Sequence, residues 1–444
     1  MLQNRVKFWH WEKTAMTILS SLNGIIFSLL PVFSQPSSQL FLRLVVGWIL
    51  CPTRRTITAM IPYADPEEQR KHDAYHRFFR IGAWCMLPVF RLWSAILVEM
   101  FRPTGIIHVK TDDTVHKKTG RKVDGAAFRR DAVRSTGQKT VYVWGLQIVP
   151  ICLSVASPWG GEPLALPINV RLYRKGGPSL LDLAEEMMRE LASWLPERLF
   201  SLAGDGFYAS LAGRDLPRTR IVSRMRHDAA IYEMPQRPRH KGRGRPRKKG
   251  KRLPTPSQIA ARVRKWDTVQ TIERGKPKTR LVYCRHVLWY QVLPDRPVLL
   301  VISRDSTGKE KDDFFFTTDL EMSPVQVIEE FADRWAIEDT FRNAKQFLGA
   351  EEPQSWKGHG PEKVSGFAYF LYGLVWLWYL KHGYRSTPIP STDWYRHKRA
   401  PSFKDALAAL RKALWSDRFS QTVHTVPHFD KFQAILIHAL AYAA

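Results

Sequence analysis

Cysteine is scarce in this chain of 444 residues, and its four cysteines lie far apart. Cys51, Cys85, Cys152 and Cys284 form no C-x-x-C pair, which argues against a zinc site and against a disulfide framework. Isolated thiols of this kind suit a reducing compartment, so we expect the protein in the cytoplasm.

The chain also lacks the pattern of a secretory signal and any long, uninterrupted apolar run. Charged residues interrupt the N-terminal segment at Lys7, Glu12 and Lys13, and no cleavage-like site follows them. Two apolar stretches, residues 18–33 and 364–380, are only about as long as the shortest membrane span, and both contain Ser or Gly. We therefore expect two buried helices and no membrane partner.

Acidic residues are too few to balance the basic ones. The chain has 68 Lys and Arg against 41 Asp and Glu, which gives a net charge of +27 and a pI near 10.1. This balance favours a polyanionic partner and nucleic acid first, although a basic membrane-surface or ribosome-associated protein would share it. The hydrophobic content of 44% indicates a globular protein with room for two or three domains.

The imbalance is strongest in residues 237–252, which contain ten Lys or Arg and no acid. Interspersed Pro and Gly exclude a packed core there, so the segment is expected to be exposed. Its centre resembles an AT-hook, in which extended arginines enter the narrow minor groove of A/T-rich DNA. The residues concerned are Arg243, Arg245, Arg247 and Lys248. The alternative is a non-specific basic linker, and both would contact DNA phosphates.

Apolar periodicity predicts a mixed α/β fold with helical ends. Residues 1–95 are expected to be helical, with apolar clusters broken at prolines. A β-β-β-α-β order follows, and strands return over residues 268–317 before the C-terminal helices. The predicted core elements are strands at 105–111, 122–129 and 140–154, a helix over Leu180–Trp194, and strands at 199–203 and 220–223. Further helices are predicted at 364–380, 403–415 and 429–443.

One predicted helix, residues 323–349, carries the most specific pattern. Ser323 can act as N-cap with Gln326 completing a capping box, and Gly349 supplies the stop. Five residues spaced three and four apart share one stripe of this helix: Phe331, Arg334, Glu338, Phe341 and Lys345. Helix geometry alone also admits an ordinary solvated, salt-bridged face.

The order of this stripe resembles the Y-x(2)-R-x(3)-E-x(6)-K signature of bacterial insertion-sequence transposases of the DDE type. Arg334, Glu338 and Lys345 match it in register, whereas Phe331 replaces its tyrosine. The resemblance implies an RNase H-like catalytic core with a β insertion before the glutamate. It also implies that Arg334 and Lys345 contact DNA phosphates.

Two tryptophans are candidates for stacking on an unpaired base near a cleaved DNA end. Trp335 lies next to Arg334, and packing in the core is the favoured interpretation of its indole. Trp289, in the expected β insertion, is a similar but weaker candidate.

Two aspartate motifs supply the carboxylates that the glutamate of such a site needs. Asp112 follows an apolar strand in a D-x-T pattern that resembles the family's first aspartate, and Asp113 remains the alternative. Asp205 lies between two glycines in a D-G-x-Y pattern that resembles the second. Each motif alone would also suit an ordinary turn. Together with Glu338 they give the order D, D, E, and hard oxygen ligands of this kind hold Mg²⁺.

The resemblance assigns a role to each region of the chain. Residues 1–95 would form a helical DNA-binding domain, and residues 386–444 a helical C-terminal region. The RNase H-like core would comprise residues 96–230 and 301–385, with the basic segment and an all-β insertion in residues 231–300. The fold class is therefore α/β, with a mixed sheet flanked by helices.

The expected activity is DNA transposition. The enzyme would cleave transposon ends and join the 3′-hydroxyl to target DNA by in-line phosphoryl transfer with two Mg²⁺ ions, Mn²⁺ being the alternative. The resemblance implies terminal inverted repeats and target DNA as partners, a homodimer in the synaptic complex, and a bacterial, nucleoid-associated location. Two other readings are an RNase H-like nuclease without strand transfer and a catalytically silent DNA-binding regulator.

Overall fold

The computed structural model describes residues 20–131, 134–235, 247–386, 388–389, 396–422 and 429–442. The chain divides into two units. One comprises Met1–Trp84, Glu352–Ser355 and Leu374–Ala444, and the other comprises Cys85–Glu351 and Trp356–Gly373. In the described residues the first unit is helical, and the second contains the sheet.

The helical character predicted for both ends of the chain is confirmed. The apolar stretch near the N-terminus forms two short pieces, because Pro31 lies in a 3₁₀ helix at Phe27–Val32 that follows the first helix. The described helices are α1 (Ser20–Ile26), α2 (Gln35–Leu50), α3 (Ile57–Ala64), α4 (His72–Arg80), α5 (Met86–Phe101), α6 (Leu180–Trp194), α7 (Pro256–Arg262), α8 (Pro324–Asp333), α9 (Ala336–Leu348), α10 (Gly360–Trp378), α11 (Phe403–Thr422) and α12 (Phe429–Tyr442).

Helix α10 corresponds to the second apolar stretch, and its side chains from Val364 onwards are buried as predicted. No helix among the described residues combines the length and the apolar character needed to cross a membrane.

The strands form one mixed sheet. They are β1 (Ile107–Thr111), β2 (Thr114–Lys117), β3 (Ala127–Arg130), β4 (Tyr142–Val155), β5 (Leu164–Tyr173), β6 (Phe200–Ala203), β7 (Thr219–Arg224), β8 (Asp267–Glu273), β9 (Lys276–Val287), β10 (Val298–Asp305) and β11 (Asp313–Thr317). Strand β1 pairs in parallel with β6, and β6 with β7, whereas β4 pairs antiparallel with both β1 and β5. The order β5-β4-β1-β6-β7, with α6 between β5 and β6, is that of an RNase H-like core, which confirms the predicted fold class.

Two strands of the core, β2 and β5, were not predicted. Strand β5 contains Pro167, a residue that disfavours strand interiors because it offers no N–H to a ladder. The ladder accommodates it where the register of β5 against β4 shifts, next to the Cys152–Pro167 pair. The Pro167 carbonyl oxygen accepts a hydrogen bond from Trp93 Nε1 at 3.1 Å. A side chain of α5 therefore satisfies part of this strand's backbone.

The acid pair Asp112–Asp113 interrupts an otherwise continuous line of backbone formed by β1 and β2. Thr111 pairs with Ile151 and Thr114 pairs with Ile148, so both strands advance three residues across the interruption and no residue is inserted. The opposing strand has Pro150 at this point, which has no N–H to contribute to a ladder. The register on both sides therefore fixes the positions of the two acids along β4.

The insertion between the second aspartate and the glutamate extends the core sheet. Strand β11 pairs antiparallel with β7, and β10, β9 and β8 follow in turn. The turn Arg274–Gly275 joins β8 to β9, and both residues have positive φ, as a two-residue hairpin requires. The strands predicted over residues 268–317 are confirmed, and helix α7, held by a capping box of Thr255 and Gln258, precedes them between the basic segment and β8.

The helix predicted over residues 323–349 is two helices, α8 and α9. Its capping box of Ser323 and Gln326 and its left-handed stop at Gly349 are confirmed. The break occurs because the N–H of Ile337 bonds the carbonyl of Arg334, three residues back, rather than that of Asp333. The Asp333 oxygen instead accepts a hydrogen bond from Lys110 Nζ. A tertiary contact thus replaces one helical bond.

Candidate active site

The two aspartates of the predicted triad follow neighbouring parallel strands. Lys110 on β1 pairs with Ala203 on β6, and Asp112 and Asp205 lie two residues beyond these partners. Parallel strands end at the same edge of a sheet, and the two carboxylates are close enough for the charge of Asp205 to raise the pKa of Asp112. The structure therefore brings these two residues together.

Close backbone approach fixes the turn that holds Asp205. A Cβ on Gly204 would lie 2.7 Å from the Tyr208 Cβ, so no larger residue fits there. The Asp205 Oδ1 accepts backbone hydrogen bonds from Phe207 at 3.0 Å and from Tyr208 at 3.3 Å. The glycine before the D-G-x-Y pattern is thus required by packing, whereas a Cβ on Gly206 within the pattern would make only an ordinary 3.8 Å contact with Arg224. The carboxylate is oriented by its own turn.

The acids of the first motif have different partners. Asp112 Oδ2 pairs with Arg334 Nη1 at 2.5 Å, on the side where Lys110 holds Asp333. Asp113 accepts hydrogen bonds from Gln147 Nε2 at 2.7 Å and from Tyr208 OH at 3.4 Å. Asp112 is therefore directed towards the α8–α9 break, whereas Asp113 is directed towards β4 and Tyr208.

The C-terminal end of helix α9 contacts strand β2, which continues from the first aspartate motif. Thr114 Oγ1 accepts a hydrogen bond from Lys345 Nζ at 2.8 Å, and the Val115 carbonyl accepts another at 2.9 Å. Near the middle of α9, Thr340 Oγ1 donates a hydrogen bond to the Ala165 carbonyl of β5 at 2.7 Å. Helix α9 is thereby tied to the strand line that contains the first aspartate.

Glu338 lies in the first turn of α9, because the helix begins only at Ala336. Partial positive charge at a helix N-terminus stabilises a carboxylate there. Burial raises the pKa of Glu338, while Arg334 and Lys345 oppose that rise. The break at Arg334 therefore converts the glutamate from a mid-helix position to a helix N-terminus.

Burial also shapes the electrostatics of the aspartates. It raises the pKa of Asp112 to about 7, against the opposing charge of Arg334, and it raises the pKa of Asp113. Burial lowers the pKa of Lys110 to about 8, an effect that Asp333 and Glu330 oppose. Half-buried acids with raised pKa values at one sheet edge form a region that favours bound cations.

Comparison with known proteins identifies the family. The model of the DDE superfamily endonuclease family matches residues 28–292, which is more than half of the chain. The chain belongs to this family. No curated protein matches it.

The matched region of this DDE endonuclease includes Asp112 and Asp205 and stops before Glu338. The assignment of the glutamate therefore depends on the signature around it and on the geometry described above. Enzymes of this superfamily are nucleases that act on DNA and generally use divalent metal ions.

The donor chemistry of the endonuclease suits Mg²⁺. Asp112, Asp205 and Glu338 offer carboxylate oxygens, the ligands that this ion prefers. Within the described part of the chain, however, no three His, Cys, Asp or Glu side chains converge closely enough to hold one ion. The guanidinium of Arg334 takes the cationic position beside Asp112.

Arg334 and Lys345, the two cations of the signature, both bind protein atoms: Arg334 pairs with Asp112, and Lys345 donates to Thr114. Arg334 is 8% exposed, and the ring of Phe331 lies 5.3 Å from its guanidinium carbon. Phe331 itself is buried against Phe315, with ring centroids 4.8 Å apart. The phenyl ring that replaces the family's tyrosine thus supports Arg334 through packing.

Trp335 is 43% exposed, so the favoured interpretation of core packing for this residue is wrong. Its ring is covered on one side by the guanidinium of Arg274, 4.8 Å from the ring centroid. Both residues line an open cleft of about 650 Å³ between the β8–β9 hairpin and the α8–α9 break. Trp289 is 5% exposed and packs on Phe316, so its expected role in base stacking is wrong.

The AT-hook-like segment is described only at its C-terminal end. Arg243 and Arg245 lie outside the described residues, whereas Arg247 and Lys248 are exposed. The ammonium of the adjacent Lys249 lies 4.4 Å from the ring centroid of Tyr232, which anchors the segment where it rejoins the fold.

Sequence reasoning missed several residues that organise the site. Lys110 is a lone cation in an apolar strand, and Tyr208 is the tyrosine of the D-G-x-Y pattern, but the sequence indicates a role for neither. Gln147 and Arg274 have no local signal, because each acts on a residue far away in the chain.

Proposed function

We propose that this DDE endonuclease is a transposase that cleaves the ends of a mobile DNA element and joins them to target DNA. The observation that carries the proposal is the set of three acids on two parallel strand ends and one helix N-terminus. The Arg334–Asp112 ion pair directly connects the strand that bears the first acid to the helix break. Strand cleavage and joining require the same in-line displacement at phosphorus.

We propose Asp112, Asp205 and Glu338 as the residues that hold two divalent ions, Mg²⁺ or Mn²⁺. Such ions, when bound, activate the attacking oxygen and stabilise the leaving oxygen. Asp112 is preferred over Asp113 because its side chain points to the break that precedes Glu338, whereas Asp113 is already held by Gln147 and Tyr208.

Arg334 and Lys345 are proposed phosphate ligands. Arg334 forms an ion pair with Asp112, so a cation bound to Asp112 would make the guanidinium available to a DNA phosphate. Lys345 would remain hydrogen-bonded to Thr114, two residues after Asp112 in the chain. Trp335 presents an exposed ring next to Arg334, which suits stacking on an unpaired base.

The remaining regions have proposed roles in assembly. Residues 1–95 would bind the terminal inverted repeats, residues 96–230 and 301–385 would form the catalytic core, and residues 386–444 would pair the ends in a homodimer. We place the protein in the cytoplasm of a bacterium, associated with the nucleoid.

A donor plasmid carrying the DNA that flanks the gene distinguishes this function from its alternatives. With Mg²⁺ and a second plasmid as target, a transposase gives cleavage at the element's ends and joined products. Cleavage without joining would instead identify a nuclease. Binding without cleavage would identify a catalytically silent regulator.

Replacing Arg243 and Arg245 by glutamine is expected to weaken binding to duplex DNA and to make it less dependent on salt. Each lost phosphate contact lowers the slope of log affinity against log salt by about 0.9, so the double variant should lose about 2. The matched control replaces Lys309 and Lys311, exposed cations between β10 and β11, by glutamine.

Fluorescence anisotropy over a salt series measures both variants. A loss confined to A/T-rich duplexes would favour the AT-hook, and an equal loss on all sequences would favour the basic linker. An unchanged slope would contradict both.

A further inference from the structure

Strands β3 and β4 form a two-stranded ribbon with an aromatic face. Phe128 pairs with Trp144 and Arg130 pairs with Tyr142, so these four side chains share one face. We call these four residues the aromatic ribbon. Phe128 is 71% exposed and Tyr142 is 63% exposed, which is unusual for rings of this size on a strand.

The ribbon holds its rings in place. Phe128 and Trp144 meet edge to face, with centroids 5.3 Å apart, and Trp144 Nε1 donates to the Gly120 carbonyl at 3.0 Å. On the opposite face the guanidinium of Arg129 lies 4.4 Å from the ring centroid of Tyr173 on β5. The exposed rings are therefore presented by an anchored element of the sheet.

The chain around the ribbon is strongly basic. Residues 117–139 contain eight Lys or Arg against two acids, Asp124 and Asp131. A surface that combines exposed aromatic rings with excess positive charge is complementary to nucleic acid, whose bases offer faces for stacking and whose phosphates are anionic.

The ribbon continues directly from the candidate active site. The alternation of side chains along β4 puts Tyr142 and Trp144 on the same face as Ile148, which pairs with Thr114, the residue whose Oγ1 accepts a hydrogen bond from Lys345 Nζ at 2.8 Å. Asp112 lies two residues before Thr114. Tyr142 lies six residues from Ile148 on the same strand, a distance of about 20 Å at the rise of a β-strand. DNA engaged at the acids can therefore extend over the ribbon.

We propose that the aromatic ribbon binds unpaired nucleotides of the DNA strand adjacent to the cut site. This inference rests on the proposed function, because it takes the acids as the point of cleavage. Unpaired bases are favoured over duplex because their faces are free to stack on Phe128 and Tyr142, whereas paired bases are already stacked on their neighbours.

Binding can be tested without catalysis, in the full chain carrying Glu338→Gln and in the presence of EDTA. The probe is a fluorescent single-stranded oligonucleotide, compared with a duplex of the same sequence. Phe128→Ala and Tyr142→Ala are each expected to weaken single-strand binding about tenfold and duplex binding less than twofold. The control is Leu199→Ala, which removes a side chain that is 54% exposed next to the start of β6, at the opposite end of that strand from Asp205.

A second measurement locates the contact. An oligonucleotide containing 5-iodouracil forms photo-crosslinks with aromatic side chains, and we expect crosslinked peptides that contain Phe128, Tyr142 or Trp144. The proposal is wrong if both alanine variants bind within twofold of the parent, or if crosslinks fall only in other segments. It is also wrong if duplex binding falls as much as single-strand binding.

These outcomes are separate from those of the transposition test. The ribbon is assayed in a protein that cannot cleave, so loss of the proposed function would leave the binding result intact. Conversely, if the ribbon variants bind single-stranded DNA normally, the ribbon proposal fails, whereas cleavage and joining in the plasmid assay would still support the proposed function.

Discussion

Replacing Glu338 by glutamine is expected to reduce strand cleavage by about a thousandfold or more. The amide has almost the same shape as the carboxylate but has no negative charge with which to hold a divalent ion. DNA binding should be retained, since a half-buried negative charge near the phosphates is removed. Cleavage of the donor plasmid in Mg²⁺ measures the first effect, and anisotropy with a labelled duplex measures the second.

Asp339→Asn is the matched control, because it makes the same change at the next residue of α9. Asp339 pairs with Arg342 at 2.7 Å, and its replacement should leave cleavage within about twofold of the parent. Asp112→Asn and Asp205→Asn should match the loss at Glu338, with a smaller loss for Asp113→Asn. Intact cleavage by the Glu338 variant would refute the proposed mechanism.

Replacing Lys110 by methionine is expected to reduce cleavage about a hundredfold. The change leaves the Asp333 carbonyl without its ammonium partner at the α8–α9 break. Arg334, which pairs with Asp112, and Glu338, in the first turn of α9, lie within five residues of that carbonyl. Small displacements of catalytic groups cost rate on this scale. The loss should appear in kcat, with the KM for DNA nearly unchanged.

Lys363→Met separates positioning from general destabilisation. Lys363 is a second buried lysine, 4% exposed against 1% for Lys110, and it lies on α10. Both variants lose a buried ammonium, so both should unfold at somewhat lower temperature. Only Lys110→Met should also weaken Mn²⁺ binding measured by electron paramagnetic resonance. Equal losses of activity in the two variants would assign Lys110 a purely structural role.

Features determined by local chemistry could be predicted from the sequence. Helix α6 and the capping box at Ser323 depend on neighbouring residues, and both were located correctly. The glycine before Asp205 was recognisable because only glycine allows the approach to Tyr208 that the turn requires. The mixed order of strands and helices likewise follows from periodicity, which is a local signal.

Features that depend on distant residues could not be predicted in this way. The stripe from Phe331 to Lys345 has unbroken helical spacing, and only the approach of Lys110 reveals the break within it. Strand β5 was hidden by Pro167, which the ladder accommodates where its register against β4 shifts. The exposure of Trp335 is likewise a tertiary property, set by the cleft beside it.

The register of β1 and β2 against β4 leaves no tolerance for length variation at the acid pair. Two residues lie between Thr111 and Thr114, and two lie between their partners on β4, Ile151 and Ile148. Inserting or deleting one residue here would reverse the alternation of side chains, so that the acid facing Arg334 would exchange places with the acid facing Gln147. Related chains should therefore vary in length in the connections beyond these strands and keep this spacing constant.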